Sequence, residues 1–288
     1  MAFIEIRNLT KDYGQGRGIF DIHLSIERGE VFGFVGTNGA GKTTTIRHLM
    51  GFLKPQSGSA MIGGLDAWRD SAEVKKWIGY IPSEIAFPDA ATGTDFLKSQ
   101  AELIGLKDMS LAETIIKRLQ LDPTAKLKRM SKGMKQKTAI VAALMANPDI
   151  LILDEPTTGL DPLMRAEFIR IMEEMKQQGK TIFMSSHMFD EVEQVCDKVA
   201  LIKAGRIIGV KAVKEILKKD ERTYLIEFTT QEEYRRFLEE PLHVAERDDG
   251  RHQATVMVQQ QVINLLLNIL KHYNIRLLRA YPKTIISK

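Results

Sequence analysis

The chain has 288 residues, 44% apolar and 27% charged, the balance of an ordinary globular protein and not of a fibre or a disordered chain. Lys plus Arg number 41 and Asp plus Glu 37, a formal charge of +4 that is too small to argue for nucleic acid but permits an anionic ligand. Cys196 is the only cysteine, which excludes an intrachain disulfide, and the longest strictly apolar run, Ala139 to Ala146, is eight residues where a membrane-spanning helix needs about 20. The N-terminal residues Met1 to Arg7 alternate in polarity and carry an early acid, so they read as a strand and not as a signal peptide. The chain is expected in the cytoplasm, with any membrane role coming through a partner.

The first third opens with short strands, Phe3–Arg7, Ile22–Ile26 and Val31–Val35, punctuated by glycines. A helix is expected from Thr43 to about Met50, and Ile78–Ile81 is a further short apolar run. Residues 84–147 read as helical, with 3–4 spacing in Ala101–Ile104, Leu111–Leu119 and Met134–Met145. Ile150–Leu153 is apolar at every position, as a strand buried on both faces would be. A helix (Pro162–Lys176), a strand (Thr181–Ser185), a helix (Asp190–Cys196) and a strand (Val199–Lys203) follow, and this alternation argues a parallel α/β sheet.

Polarity rises over Lys211–Glu221, read as a linker helix. Beyond it the order is strand (Thr223–Thr229), helix (Gln231–Glu239), strand (Leu242–Arg247), an Asp-Gly turn, strand (Gln253–Val258), helix (Gln259–Tyr273) and strand (Ile275–Ala280). That is the split β-α-β, ferredoxin-like pattern. Two domains are therefore expected, residues 1–212 with a helical part over about 84–147, and a smaller α+β domain over 213–288.

Two motifs carry chemistry. Gly36-Thr37-Asn38-Gly39-Ala40-Gly41-Lys42-Thr43 fits G-x-x-x-x-G-K-[ST] between a strand and a helix, the context that motif needs. Its glycines let backbone N–H groups curl around phosphate oxygens, the helix start adds partial positive charge, Lys42 should reach the β and γ phosphates, and Thr43 should ligate Mg²⁺. Thr44 continues the same turn. The second motif is Asp154-Glu155 at the end of a buried strand, the edge where ligands sit in open α/β sheets. Asp154 would hold Mg²⁺ and Glu155 would polarise the attacking water.

Four further segments narrow the family. Met130-Ser131-Lys132-Gly133-Met134-Lys135-Gln136-Lys137 resembles the signature motif of ATP-binding cassette (ABC) proteins, Thr158-Gly159-Leu160-Asp161-Pro162 their D-loop, and Ser185-Ser186-His187 their switch histidine, while Tyr13 stands where they place an adenine-stacking aromatic. The match runs over roughly residues 3–212, and the subgroup it most resembles is the ATPase subunit of ABC-2-type exporters, the bacitracin-export type included. The resemblance implies a P-loop NTPase with a RecA-like core, an antiparallel β subdomain and a helical subdomain. It also implies ATP and Mg²⁺ as ligands and a head-to-tail homodimer that sandwiches ATP. A separate integral-membrane permease would hold the chain at the inner face of the membrane, and no nucleic acid is expected. In that dimer, Ser131, Gly133 and Met134 at one helix start meet the γ-phosphate held by the other subunit, His187 contacts that phosphate and orients the water, and Asp161 orders the cross-dimer loop.

Two positions depart from the family pattern. Ser83 stands in the register of the usual Gln after Ile78–Ile81, with Glu84 one place later; either could approach the metal, and Glu84 is the harder ligand. Lys132 replaces the usual glycine in a basic stretch from Lys126 to Lys137, where it would either attract the partner's γ-phosphate or belong to a solvated face. An alternative from another class, a soluble ABC ATPase that remodels ribosomes or nucleic acid, is weakened by the single cassette and the small net charge.

Overall fold

The computed structural model describes residues 2–88, 90–219, 221–240, 242, 244–259 and 263–281. The chain divides into two compact units, Met1–Lys211 and Ala212–Lys288.

In the first unit the elements run β1 (Ile4–Asp12), β2 (Gly18–Ile26), β3 (Val31–Val35), α1 (Lys42–Leu49), β4 (Ser57–Ile62), β5 (Leu65–Asp66), α2 (Ser71–Lys75), β6 (Ile78–Ile81), α3 (Gly93–Leu103), α4 (Ser110–Arg118), α5 (Lys132–Leu144), β7 (Ile150–Asp154), α6 (Pro162–Gln177), β8 (Thr181–Ser186), α7 (Phe189–Val195), β9 (Lys198–Lys203) and β10 (Arg206–Ala212). An antiparallel sheet has the order β2-β1-β4-β5, and a second, mixed sheet the order β10-β9-β3-β8-β7-β6. The strands β3, β7 and β8 are buried at every position, which is why apolar residues fill their middles on both faces. One apolar cluster joins Ile4, Ile6, Ile22 and Leu24 of the first sheet to Phe32, Phe34, Ile150, Ile152 and Phe183 of the second, with Ile46 and Leu49 of α1 between them. Each such buried side chain contributes about 1.5–3 kcal/mol.

Register brings the strand ends level. Val35 pairs with Ser186, Asp154 with Ser185 and Ile81 with Leu153, so the phosphate loop, the acidic pair, the histidine turn and the loop after β6 leave the sheet at one edge. Helix α3 begins at a capping box, in which Thr92 Oγ1 accepts from the Asp95 N–H and Asp95 Oδ2 accepts from the Thr92 N–H. The helical segment is shorter than expected: the described residues between Ile81 and Gly93 form no helix, and α3, α4 and α5 follow. The strands β4, β5 and β10 and the short α2 were not anticipated. Among the described residues no helix is long and apolar enough to cross a membrane.

The second unit holds α8 (Val213–Lys219), β11 (Glu221–Phe228), α9 (Gln231–Phe237), β12 (Val244–Asp248), β13 (Gln253–Gln259), α10 (Ile263–Leu270) and β14 (Ile275–Tyr281). Its sheet is antiparallel with the order β12-β13-β11-β14, which is the ferredoxin-like order read from the sequence. Phe228, Tyr234, Phe237 and Tyr273 make an aromatic core with Ile226, Val256, Leu266 and Leu270; the Phe228 and Phe237 rings lie 4.8 Å apart. The expected start of the last helix at 259–262 lies partly outside the described residues, as does the Leu265 side chain.

Candidate functional site

The glycine loop between β3 and α1 is shaped for an anion. Gly41 has φ +112°, and a Cβ there would stand 2.7 Å from the Ile19 side chain, so both backbone and space demand glycine. The turn presents the free N–H groups of the α1 start, whose first turn carries no acid. Lys42 is only 4% exposed. Its Nζ donates to Gly36 O at 2.7 Å and Thr37 O at 3.2 Å, and lies 3.0 Å from Glu155 Oε1. Three oxygens satisfy this buried cation. Thr43 and Thr44 follow on the same turn, where the Thr44 carbonyl meets His48 Nδ1 at 2.8 Å.

The acidic pair sits against this lysine. Asp154 is fully buried; its Oδ1 accepts from Ser185 Oγ at 2.6 Å, while its Oδ2 is buried with no hydrogen-bond partner. Glu155 turns out of the strand with φ +50°, and its N–H donates to the same Ser185 Oγ at 3.0 Å. One serine hydroxyl thus fixes both acids. The Glu155 carboxylate meets Lys42, then His187 Nδ1 at 3.1 Å and Thr158 Oγ1 at 3.3 Å. Partial burial works against its charge, but Lys42 and then His187 outweigh that and hold the carboxyl below its ordinary value.

A buried carboxylate oxygen left unpaired is costly unless something else meets it. The Asp154 Oδ2 atom, at the end of a strand packed against the helix that carries Thr43, fits a hard divalent cation that takes few protein ligands beside phosphate oxygens. Among the described residues no group of three His, Cys, Asp or Glu gathers as a self-contained metal site.

The signature segment forms a second cluster. Ser131 caps α5, its Oγ accepting from the Met134 N–H at 3.2 Å. A Cβ at Gly133 would stand 2.7 Å from Gly159 O, and one at Gly159 would stand 3.0 Å from the Lys132 stem, so the helix start packs directly on the loop after Glu155. Gln136 Nε2 donates to Pro156 O at 2.7 Å in the buried seam. Asp161 caps α6, accepting from the Met164 N–H at 2.9 Å.

The structure therefore joins Lys42, Asp154, Glu155 and His187 in one cluster and Ser131, Gly133 and Met134 with the Thr158–Asp161 loop in another. Glu84 is exposed and, with Ser83, lines a groove of about 350 Å³ against Lys132, Lys135 and Gln136. Tyr13 lies on the exposed turn after β1, 49% accessible, with the Lys11 ammonium 5.9 Å from its ring centre. The sequence shows Ser185 only as a neighbour of His187, although a polar residue at the end of an apolar strand marks it; Gln136, flanked by Lys135 and Lys137, carries no such signal.

Known proteins resemble this chain over about three quarters of its length. The family model described as "ABC transporter" matches residues 19–158. The bacitracin transport ATP-binding protein BcrA of Bacillus licheniformis is 36% identical over 227 residues, 78% of this chain and 74% of that protein. The linearmycin resistance ATP-binding protein LnrL of Bacillus subtilis is 34% identical, over 72% of this chain and 68% of that one. A solved ATP-binding subunit of an ABC transporter superposes with a TM-score of 0.68 at 29% identity, covering 75% of this chain and 92% of that one. A dimeric ATP-binding cassette bound to ADP and Pi superposes at 0.63 with 24% identity, covering 73% and 98%, and shares the fold.

Proposed function

The chain belongs to the ABC transporter family as an ATP-hydrolysing subunit, and from that premise we propose how its residues split ATP and what they drive. The observation that carries the proposal is the unpartnered Asp154 Oδ2 beside the Lys42–Glu155 pair at the mouth of the glycine loop.

The loop from Gly36 to Gly41, through Asn38, Gly39 and Ala40, cradles the phosphates with its N–H groups. Lys42 exchanges its loop carbonyls and Glu155 for β- and γ-phosphate oxygens. That exchange releases the Glu155 carboxylate to take a proton from the attacking water, a step worth about 10²–10⁴-fold. His187, tethered to Glu155, orients the water against the γ-phosphate. Thr43 and Asp154 would hold Mg²⁺, which when bound neutralises charge on the phosphate oxygens. Glu84 is retained as a candidate outer contact to that ion. Tyr13, exposed on the turn after β1, would stack on the adenine. The capped α5 start of a second copy, with Ser131, Gly133 and Met134, closes over the γ-phosphate head-to-tail, and Asp161 orders the loop that runs beside it.

The energy goes to a permease. An open groove of about 830 Å³ lined by Tyr80, Pro82, Ile85, Phe87, Leu103 and Ile104 offers an apolar seat for such a partner, with Leu103 78% exposed. Relatives named for bacitracin transport and linearmycin resistance support export as the direction. Nothing favours the remodelling alternative. Phosphate release by the purified protein tests the reading. Turnover should require Mg²⁺, vanish with a chelator and return when Mg²⁺ is restored; turnover indifferent to chelation would contradict the assignment of Asp154 and Thr43.

A further inference from the structure

We propose that Glu191, a carboxylate outside the phosphate loop and the acidic pair, is a positioning residue that holds the Glu155 loop and the His187 turn in one fixed arrangement. The inference rests on the reading of Glu155 and His187 given above.

Glu191 lies on the first turn of α7 and is only 4% exposed. A carboxylate so deeply buried is tolerated only where donors meet it. Here Thr157 Oγ1 donates to Oε1 at 2.8 Å and Ser186 Oγ donates to Oε2 at 2.7 Å. The Arg165 Nε lies 3.3 Å from Oε1, an ion pair without hydrogen-bond alignment. Each donor comes from a different segment. Thr157 follows Glu155 by two residues, Ser186 directly precedes His187, and Arg165 stands in the first turn of α6, the helix that Asp161 caps. Thr157 and Ser186 are themselves 4% and 2% exposed, so neither hydroxyl has water as an alternative.

The chemistry of the acceptor sets the geometry. An ionised carboxylate accepts only, so both hydroxyl protons must point inward, and each rotamer is thereby fixed. With its proton so committed, Ser186 Oγ accepts from the Met188 N–H at 3.0 Å, which pins the turn carrying His187 from both sides. The Glu155–His187 contact at 3.1 Å is thus spanned from behind by a second carboxylate. An isosteric amide at position 191 keeps one acceptor oxygen and turns an N–H toward a hydroxyl or the guanidinium, which breaks one arm of the bridge without changing its volume.

The test compares ATP turnover of the full-length chain with Glu191→Gln, Thr157→Val, their double variant and Glu155→Gln as reference. Glu191→Gln should lower kcat about tenfold, and Thr157→Val about threefold, with KM for ATP within about twofold in both. The double variant should lose about tenfold, not the product of the two, because both changes cut the same bridge. Unchanged kcat in folded Glu191→Gln, a loss that appears in KM alone, or losses that multiply would each overturn the proposal. If Glu191→Gln does not fold, Thr157→Val decides: a lower kcat at constant KM supports the bridge, and wild-type kcat refutes it. Should Glu155→Gln itself retain full turnover, the catalytic reading fails and not the bridge alone.

Discussion

The two units bury polarity in opposite ways. In the first, Lys42, Gln136, Asp154, Thr157, Ser185, Ser186 and Glu191 are all buried within or behind one edge of the parallel strands of the mixed sheet. In the second, the buried polar residues among those described are Thr223 and Thr255, and the core is aromatic. Its tyrosine hydroxyls reach outward instead, Tyr234 to Asp249 at 2.6 Å and Tyr273 to Glu240 at 2.7 Å. Buried polar groups cost stability unless each is satisfied. The first unit gathers these seven at one sheet edge, and among them only Asp154 Oδ2 is left without a hydrogen-bond partner. The second is built for stability and shows no comparable cluster among its described residues.

Substitutions that strike one pattern and spare the other sharpen this contrast. The largest effect belongs to Glu155→Gln. Phosphate release should fall about 10²–10⁴-fold while ATP binding persists, because the amide cannot take the proton but leaves the glycine cradle intact. Loss of binding in step with turnover would place Glu155 among the binding groups instead. Next comes Phe237→Ala in the aromatic core, which should cost about 3–5 kcal/mol of stability. In a calorimetric scan that loss should appear in a transition of the second unit, with phosphate release within about twofold of wild type. A collapse of turnover at temperatures where the first unit stays folded would break the comparison. Thr92→Ala, which removes the capping box of α3, should cost about 1 kcal/mol in a denaturant titration.

The smallest effect is one of pH. The Glu155 carboxyl is held below its ordinary value, so its pairing with Lys42 stabilises the fold above the carboxylate range and is lost as pH falls through it. Between about pH 5 and pH 3 the wild type should lose stability faster than Glu155→Gln. Parallel acid titrations of the two proteins by circular dichroism check this, and curves of equal slope would show that the pair contributes nothing.

Much of the first unit was legible because its chemistry is local. The glycine loop, the run Ile150–Leu153 with its two acids, and the serine cap of α5 each lie within a few consecutive residues. What escaped was set at long range. Strand β4, Ser-Gly-Ser-Ala-Met-Ile, carries little intrinsic strand preference and exists because β1 pairs with it, Ile4 against Ile62 and Ile6 against Ala60. Strand β10 is an edge strand with alternating exposure, too polar to stand out. Glu191 reads as an ordinary solvated acid in a short helix, and only the fold places it between Thr157 and Ser186. The ferredoxin-like order of the second unit was readable because short strands and helices follow one another with an Asp-Gly turn marking the hairpin.

In the proposed cycle a triphosphate is held between two copies of this chain. Sedimentation of Glu155→Gln, with and without saturating ATP and Mg²⁺, tests it most directly. Trapped unhydrolysed nucleotide should convert monomer to dimer, and Lys42→Ala in the same background should abolish the conversion; a protein that stays monomeric with bound ATP, even beside its permease, would contradict the account.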